Sequence, residues 1–150
     1  MKTAYFSLGC FWSPQLEFEK IKGVKKAEVG YCGGDDPNTT YEKVCSGSTN
    51  HAETVKVDFD EKIVSYEELV RFFFKIHDPT QLNRQGPDIG TQYRSEIFYK
   101  NQEEMEIAEK IKAEFNKKFD GKIVTNISKE KLYQPAEEYH QYYLKRKSIL

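Results

Sequence analysis

The fold of this chain is limited most by the order of two patterns of apolar residues, one with the period of a β-strand and one with the period of a helix. Residues 3–8 carry apolar side chains at every second position, which is the period of a half-buried β-strand. From Phe11 to Ile21 the apolar positions take the spacing of one helix face, and Gly23 provides a stop signal. The sequence therefore predicts a strand that leads directly into a helix at Gly9-Cys10-Phe11-Trp12.

The same two periods recur in an order that predicts an α+β fold. Alternating runs at 25–31, 55–59 and 95–99 predict three more strands. The capping box Ser65-x-x-Glu68 opens a second helix between the last two of them. The resulting order is typical of a split β-α-β (ferredoxin-like) two-layer plait, in which the first two strands are parallel and the third lies between them.

The C-terminal part of the chain predicts a helical extension of that plait. A third helix is expected over Gln102–Phe119, and a last helical segment is expected to begin near Pro135. The segments 35–50 and 78–94 lack apolar periodicity and are predicted as loops, and a connection as long as the second one is usually functional. No linker or repeat divides the chain, so a single domain over residues 1–150 is expected.

Charge and composition argue against several classes of partner. The 150 residues include 23 basic and 24 acidic side chains, so no bulk charge attracts nucleic acid or a membrane surface. No apolar run has the length of a membrane span, and the N-terminus lacks the regions of a signal peptide. A monomeric cytoplasmic protein without nucleic-acid or membrane partners is expected.

Three cysteines, Cys10, Cys32 and Cys45, leave a redox or nucleophilic role open. They form no C-x-x-C pair, so no metal site is expected, and their odd number argues against a disulfide framework. Cys10 stands where a helix begins, and we expect the helix dipole to lower its thiol pKa and make it a nucleophile. The alternative is a buried structural cysteine at a strand–helix junction.

The predicted topology brings Cys10, Cys32, Cys45 and the start of the third strand to one edge of the sheet. Glu53 has the parity of the apolar residues 55–59, so its carboxyl should point toward the core. Burial there would raise its pKa and make it a proton donor near neutral pH. The alternative is a solvated carboxylate at the end of the strand.

Other polar residues of this edge allow more than one interpretation. Tyr41 and Tyr93 lie on polar segments and are candidates to donate hydrogen bonds to a substrate oxygen, although each could simply close the rim of the core. Asp88 follows Gly86-Pro87, and its alternative is a turn residue.

The histidines allow a Cys-His nucleophile in which His51 or His77 activates Cys10. His77 is equally suited to the C-terminal end of the second helix. His140 is expected to be structural or a surface contact.

Short motifs along nearly the whole chain resemble the methionine sulfoxide reductase A family. The matching runs are Gly9-Cys10-Phe11-Trp12, Val29-Gly30-Tyr31-x-Gly33-Gly34, Thr40-Tyr41-Glu42-x-Val44-Cys45-Ser46-Gly47, His51-Ala52-Glu53, His77-Asp78-Pro79-Thr80, Asn83-Arg84-Gln85-Gly86, Asp88-x-Gly90-Thr91-Gln92-Tyr93-Arg94-Ser95 and Ala136-Glu137-x-Tyr139-His140-Gln141. The resemblance implies a peptide-methionine (S)-S-oxide reductase that repairs free or protein-bound methionine sulfoxide. It also implies no metal or organic cofactor, and thioredoxin or a similar dithiol as the reductant.

The resemblance further implies a role for each site residue. Cys10 would attack the sulfoxide sulfur and emerge as a sulfenic acid, while Phe11 and Trp12 would hold the substrate methyl group. The sulfoxide oxygen would be bound and protonated by Glu53, Tyr41 and Tyr93. Asp88 would support these residues without touching the substrate, or would orient a water molecule.

The chain departs from the family in two places, the first turn of the first helix and the cysteines that recycle the enzyme. The family usually has Gly-x-Glu where this chain has Ser13-Pro14-Gln15, which we expect to alter a secondary contact. Many relatives carry recycling cysteines in a C-terminal segment, whereas no cysteine follows Cys45 here. We therefore hypothesise that Cys32 resolves oxidised Cys10, with Cys45 or an external thiol as rivals. The intervening strand separates the two backbones by roughly 10 Å, whereas a disulfide needs Cα atoms within ~7 Å.

Two alternative functions remain at this stage. A non-catalytic module that binds oxidised methionine would lack turnover because it cannot recycle. A Cys-His hydrolase using Cys10 and His51 would form an acyl-enzyme. Turnover with a dithiol reductant separates the reductase from the binding module, and acyl-enzyme formation with an activated ester would identify the hydrolase.

Overall fold

A six-stranded sheet organises the fold in the computed structural model of the protein, which describes residues 1–148 and their side chains as far as Lys145. The strands, in chain order, are β1 (Lys2–Leu8), β2 (Val24–Cys32), β3 (Ala52–Phe59), β4 (Arg84–Gln85), β5 (Asp88–Ile89), β6 (Ser95–Tyr99), β7 (Asn126–Lys129) and β8 (Gln134–Pro135). Strands β4 and β5 form a separate small hairpin. Residues 149–150 of the expected single domain lie outside the described residues.

Five helices accompany the strands within residues 1–148. They are α1 (Trp12–Glu19), α2 (Tyr41–Cys45), α3 (Tyr66–Lys75), α4 (Gln102–Lys118) and α5 (Tyr143–Ser148), and short 3-10 turns cover Thr91–Tyr93 and Glu138–His140. The predicted capping box of α3 is present, with the Ser65 hydroxyl accepting from the Glu68 N–H and the Glu68 carboxylate accepting from the Ser65 N–H. None of these helices combines the length and apolar character needed to cross a membrane.

The sheet has the strand order β7-β6-β1-β3-β2-β8. Strand β3 lies between β1 and β2 and is antiparallel to both, so β1 and β2 are parallel, as the plait prediction requires. Strand β7 extends the sheet at one edge, parallel to β6, and β8 extends it at the other edge beside β2. The predicted split β-α-β plait is confirmed.

One face of the sheet and its helices share a single core. Phe6 of β1 stacks on Phe18 of α1 at 5.1 Å and on Phe73 of α3 at 5.5 Å between ring centroids. All three side chains are fully buried, and each buried aromatic contributes roughly 1.5–3 kcal/mol of hydrophobic stabilisation. The predicted alternation in β1 thus places its apolar residues against the helices.

The structure corrects three boundaries that the sequence predicted. The loop predicted over 35–50 contains α2, because Thr40 caps it by accepting a hydrogen bond from the Lys43 N–H. The segment 78–94 contains the β4–β5 hairpin and a 3-10 turn. Pro135 lies in β8 at the edge of the sheet, where a residue without a backbone N–H is tolerated. The last helix begins only at Tyr143.

A segment that we call the C-terminal strap, Gln134–Tyr142, is fastened along β2 by side-chain amides. The Gln141 side chain accepts from the Val29 N–H at 3.1 Å and donates to the Val29 carbonyl at 2.9 Å. The fully buried Gln15 amide donates to the Ala27 carbonyl at 2.9 Å and accepts from the Tyr142 N–H at 2.7 Å. Gln15 therefore joins α1 to the strap, and the altered secondary contact expected for this departure from the family stays a prediction.

Candidate active site

The turn after β1 depends on a glycine that places Cys10 at the sheet edge. Gly9 has φ +99°, and a Cβ added there would lie 2.8 Å from the Cβ of Gln85. Only glycine adopts this conformation freely and leaves room for the β4–β5 hairpin. Cys10 is left half-buried on the wall of an open cavity of about 220 Å³ that Asp88 also lines.

The thiol pKa of Cys10 is raised to about 12, chiefly because burial disfavours the thiolate. The Trp12 backbone N–H favours the thiolate, but the nearby Glu53 and Asp88 carboxyls oppose it. The predicted lowering of this pKa is wrong, because desolvation outweighs the single N–H that the helix start directs at the sulfur. The thiol of the free protein therefore carries its proton at neutral pH.

Glu53 is a buried acid directly beside the start of α1. It is only 1% exposed, and one carboxyl oxygen, Oε1, accepts from the Phe11 N–H at 3.2 Å. The other oxygen, Oε2, is buried without a hydrogen-bond partner among the described residues. Burial raises the pKa of Glu53 to about 8, with Asp88 adding to the rise and the Phe11 N–H opposing it. The predicted direction is confirmed, and the carboxyl is largely protonated at neutral pH.

Two phenols interact electrostatically with this acid. Tyr41 begins α2, and its hydroxyl interacts with the Cys45 thiol and with the Tyr93 hydroxyl. Burial raises the pKa of both phenols, that of Tyr93 to about 12, and the Glu53 carboxyl contributes to both shifts. Both hydroxyls therefore stay protonated and can donate hydrogen bonds.

Aromatic rings form an apolar wall next to Cys10. The Phe11 ring is buried against Tyr31, with centroids 5.8 Å apart. The half-buried Trp12 stacks on Tyr143 at 3.8 Å. The structure thus provides an apolar surface on the chain segment that carries the nucleophile.

His140 belongs to this site although the sequence analysis assigned it only a structural or surface role. It is 3% exposed, and its Nδ1 accepts from the Trp12 indole N–H at 3.1 Å. Its ring lies 4.4 Å from that of Tyr41, between centroids. The Ala136–Gln141 motif was the only sequence signal for it, since no local periodicity links residue 140 to residue 12.

The other two histidines support the fold rather than Cys10. His51 accepts from the Gly34 N–H at 3.0 Å through Nδ1, and its Nε2 lies 2.6 Å from the Asp36 carbonyl oxygen. The Nδ1 of His77 forms a hydrogen bond with the Phe73 carbonyl at the end of α3, as expected for a C-terminal cap. Burial lowers the pKa of His77 to about 4, so the ring is neutral. Both rings have their nitrogens engaged, so the Cys-His interpretation gains no support.

The structure separates the two candidate resolving cysteines. Tyr31 pairs with Glu53 across β2 and β3, so their side chains share the helix-covered face, and the next residue, Cys32, points to the other face. The Cys32 thiol is fully buried there and donates to the Lys131 carbonyl at 3.2 Å. Cys45 is exposed at the end of α2, and its thiol interacts with the Tyr41 hydroxyl. This orientation gives no support to the predicted resolving role of Cys32, and the identity of the resolving thiol stays a prediction.

Asp88 lies on β5, half-buried, and its charge raises the pKa of both Cys10 and Glu53. It thus acts on the site electrostatically rather than only as a turn residue. Within the described residues, no group of three or more His, Cys, Asp and Glu side chains is arranged to hold a metal ion.

Comparisons with known proteins identify the family of this chain. The family model described as peptide methionine sulfoxide reductase matches residues 2–149. The peptide methionine sulfoxide reductase MsrA of Pelagibacter ubique (strain HTCC1062) is 58% identical over 147 residues, which covers 98% of this chain and 100% of that protein.

Solved structures show the same fold. Mxr1 from Saccharomyces cerevisiae in its reduced form is 39% identical, with a TM-score of 0.93, and the alignment covers 98% of this chain and 86% of that one. Mxr1 in complex with Trx2 is 26% identical, with a TM-score of 0.68, covering 95% and 84%. With the family model matching nearly its whole length, this chain belongs to the peptide methionine sulfoxide reductase family and is an oxidoreductase of the MsrA type.

Proposed function

We propose that the protein reduces methionine S-sulfoxide, free or in oxidised proteins, with Cys10 as nucleophile and Glu53 as proton donor. The observation that carries this proposal is the buried Glu53 carboxyl, whose Oε2 has no partner among the described residues and whose pKa is about 8. A carboxylic acid that keeps its proton at neutral pH can give it to an oxygen that must leave sulfur.

The first chemical step adds the Cys10 S–H across the S=O bond of the substrate. The thiol sulfur bonds to the sulfoxide sulfur while Glu53 gives its proton to the oxygen, and the carboxylate then takes up the thiol proton. This exchange removes the need for a free thiolate, in keeping with a thiol pKa of about 12. The adduct collapses to methionine and a Cys10 sulfenic acid, so the oxygen moves from substrate to enzyme and the substrate sulfur is reduced.

The neighbouring side chains hold the substrate for this step. The Tyr41 and Tyr93 hydroxyls donate hydrogen bonds to the sulfoxide oxygen and stabilise the charge that develops on it. Phe11 and Trp12 provide the apolar surface for the methyl group. Burial keeps the proton on Glu53 by raising the pKa of that carboxyl, and the charge of Asp88 adds to the rise.

Recycling needs a second thiol, and we propose Cys45. Its thiol condenses with the Cys10 sulfenic acid to form a disulfide and one water molecule. Cys45 is exposed and ends a five-residue helix, so a local unwinding of α2 can bring it to Cys10. Direct attack by an external thiol on the sulfenic acid is the competing route.

A thioredoxin-type dithiol then reduces the disulfide. The yeast relative solved in complex with Trx2 supports this class of partner. We expect the protein to act as a monomer in the cytoplasm, where thiols are kept reduced.

A single mixing experiment tests the proposal. Reduced protein is mixed with excess methionine S-sulfoxide without reductant, and methionine, remaining thiols and intact mass are measured. We expect one methionine per chain and the loss of two thiols and two hydrogens. The R epimer and the Cys10→Ser variant are the controls and should release none. No methionine from the wild type would refute the reductase and leave the binding module.

The thiol count also identifies the recycling route. With Cys45→Ser we expect one methionine but an oxygen retained on Cys10, whereas Cys32→Ser should behave as the wild type. The reverse pattern would restore Cys32 as the resolving thiol. An oxygen retained in the wild type would mean that an external thiol reduces the sulfenic acid.

A further inference from the structure

Glu137 is an acidic residue of the C-terminal strap that the proposed chemistry does not use. Its Oε1 accepts from the Tyr31 hydroxyl at 2.7 Å, and its Oε2 accepts from the Tyr41 backbone N–H at 3.0 Å. The carboxylate thus connects the central sheet to the first residue of α2. Tyr139 adds a longer contact to Oε2 at 3.3 Å.

The Tyr41 N–H is one of the helix-start donors that no carbonyl of α2 can satisfy. Thr40 caps only the Lys43 N–H, so the strap supplies the acceptor for Tyr41. Gln134 of the same strap binds Thr39, the residue before Thr40. Its side chain accepts from the Thr39 N–H at 2.8 Å and donates to the Thr39 carbonyl at 2.6 Å. The strap therefore holds the turn that leads into α2 on both sides of the cap residue Thr40, at Thr39 and at Tyr41.

The other end of the Glu137 bridge, the Tyr31 side chain, also lies at the site. Tyr31 lies opposite Glu53 on the same face of the sheet, and its ring contacts Phe11. The bridge therefore joins the strand that neighbours the proton donor to the helix that carries the phenol.

We propose that Glu137 is a positioning residue for this reaction. By joining the Tyr31 hydroxyl to the Tyr41 backbone, it sets the place of the Tyr41 hydroxyl beside the Glu53 carboxyl. This inference rests on the proposed function and adds a residue, and a part of the chain, to which the chemistry assigned no role.

Glu137 and Glu53 differ in charge, which suits the positioning role of the first and the proton-donating role of the second. Burial acts to raise the pKa of Glu137, but the hydrogen bonds from Tyr41 and Tyr31 outweigh it, and the pKa lies below its ordinary value. Glu137 is therefore an ionised acceptor at neutral pH, where Glu53 is a protonated donor. Hydrogen bonds to an ionised acceptor are stronger than neutral ones, which suits a residue that must fix its neighbours.

The test is a double-mutant cycle between Glu137 and the phenol it positions. Glu137→Ala removes both acceptors, and we expect kcat/KM for methionine S-sulfoxide to fall about tenfold or more, because small misplacements of catalytic groups are costly. In the Tyr41→Phe background the same change should cost less than about twofold, since the hydroxyl to be placed is gone. Glu138→Ala is the matched control, because Glu138 is exposed and adjacent.

A second readout does not depend on turnover. Hydrogen exchange of the Tyr41 amide, followed by NMR, should accelerate in Glu137→Ala and stay at the wild-type rate in Glu138→Ala. Thermal unfolding of each variant shows that the assays report on folded protein. If Glu137→Ala does not fold, Glu137→Gln enters the same cycle, with a smaller loss expected that again requires the Tyr41 hydroxyl.

Three outcomes would overturn the inference: an equal loss of kcat/KM in both backgrounds, an unchanged kcat/KM in a folded Glu137 variant, or an unchanged Tyr41 amide exchange rate. Failure of the wild type to form methionine would instead refute the proposed function. The amide exchange would then still decide whether the strap holds Tyr41.

Discussion

Replacing Glu53 with glutamine should stabilise the protein at neutral pH while removing its activity. Glutamine has the shape of the protonated carboxyl and can still accept from the Phe11 N–H through its oxygen. Unlike the carboxyl, it never acquires a charge that must be buried. The two forms should therefore be similar in stability at low pH and diverge as the pH rises.

The size of the effect follows from the pKa of Glu53, which is 4.5 without the protein environment and about 8 in the folded protein. Between these values the folded state holds a proton that the unfolded state has lost, so wild-type stability falls as the pH rises. The stabilising contribution is complete below 4.5 and is lost as the pH passes through 8. At about 1.4 kcal/mol per pKa unit, the loss reaches on the order of 4 kcal/mol at about pH 7.5.

Urea unfolding of the wild type, Glu53→Gln and Glu138→Gln at about pH 5 and about pH 7.5 measures this difference. We expect the free energy of unfolding of Glu53→Gln, relative to that of the wild type, to increase by about 3 kcal/mol from the lower to the higher pH. Glu138→Gln should show no such growth, because Glu138 is exposed. An advantage that stays constant within about 0.5 kcal/mol would refute the burial argument for Glu53.

The same variant tests the role of the proton. We expect kcat/KM of Glu53→Gln to fall by about 10²–10⁴-fold, the usual contribution of a general acid. Wild-type kcat/KM should decrease above a pH of about 8, where Glu53 loses its proton. A pH profile that stays flat across this range would contradict the assignment of Glu53 as the donor.

Two further substitutions test how the site is supported. Gln15→Leu should lower the free energy of unfolding by about 1–3 kcal/mol, because the Tyr142 N–H loses its acceptor and the Ala27 carbonyl keeps only the longer bond from the Tyr142 hydroxyl. Urea unfolding measures this loss, and an unchanged midpoint would contradict the fastening role of the Gln15 amide. Gly9→Ala should cost about 1–3 kcal/mol, because of the positive φ and the 2.8 Å approach to Gln85, and should also lower kcat/KM by displacing Cys10; wild-type stability and kinetics would contradict this account of the turn.

Much of the fold and part of the site could be predicted from local pattern. The parity of Glu53 with the apolar residues of β3 predicted both its inward direction and the rise of its pKa. The parity of β2 also carried the information that Cys32 points to the other face of the sheet, since it directly follows Tyr31, which shares the parity of Ala27 and Val29. The hypothesis for Cys32 rested on the shared edge of the sheet and on the absence of a later cysteine, and it did not use this alternation.

The sequence by itself determined the order and the faces of the strands and helices, because periods of 2 and 3.6 are local properties of the chain. Only the tertiary structure decided the direction of the Cys10 pKa shift, since burial there depends on side chains from several elements. The same holds for the strap, where Trp12 meets His140 and Tyr41 meets Glu137 through hydrogen bonds between residues 128 and 96 positions apart. Such contacts leave no periodic trace in the sequence, because nothing local requires them until the sheet has formed.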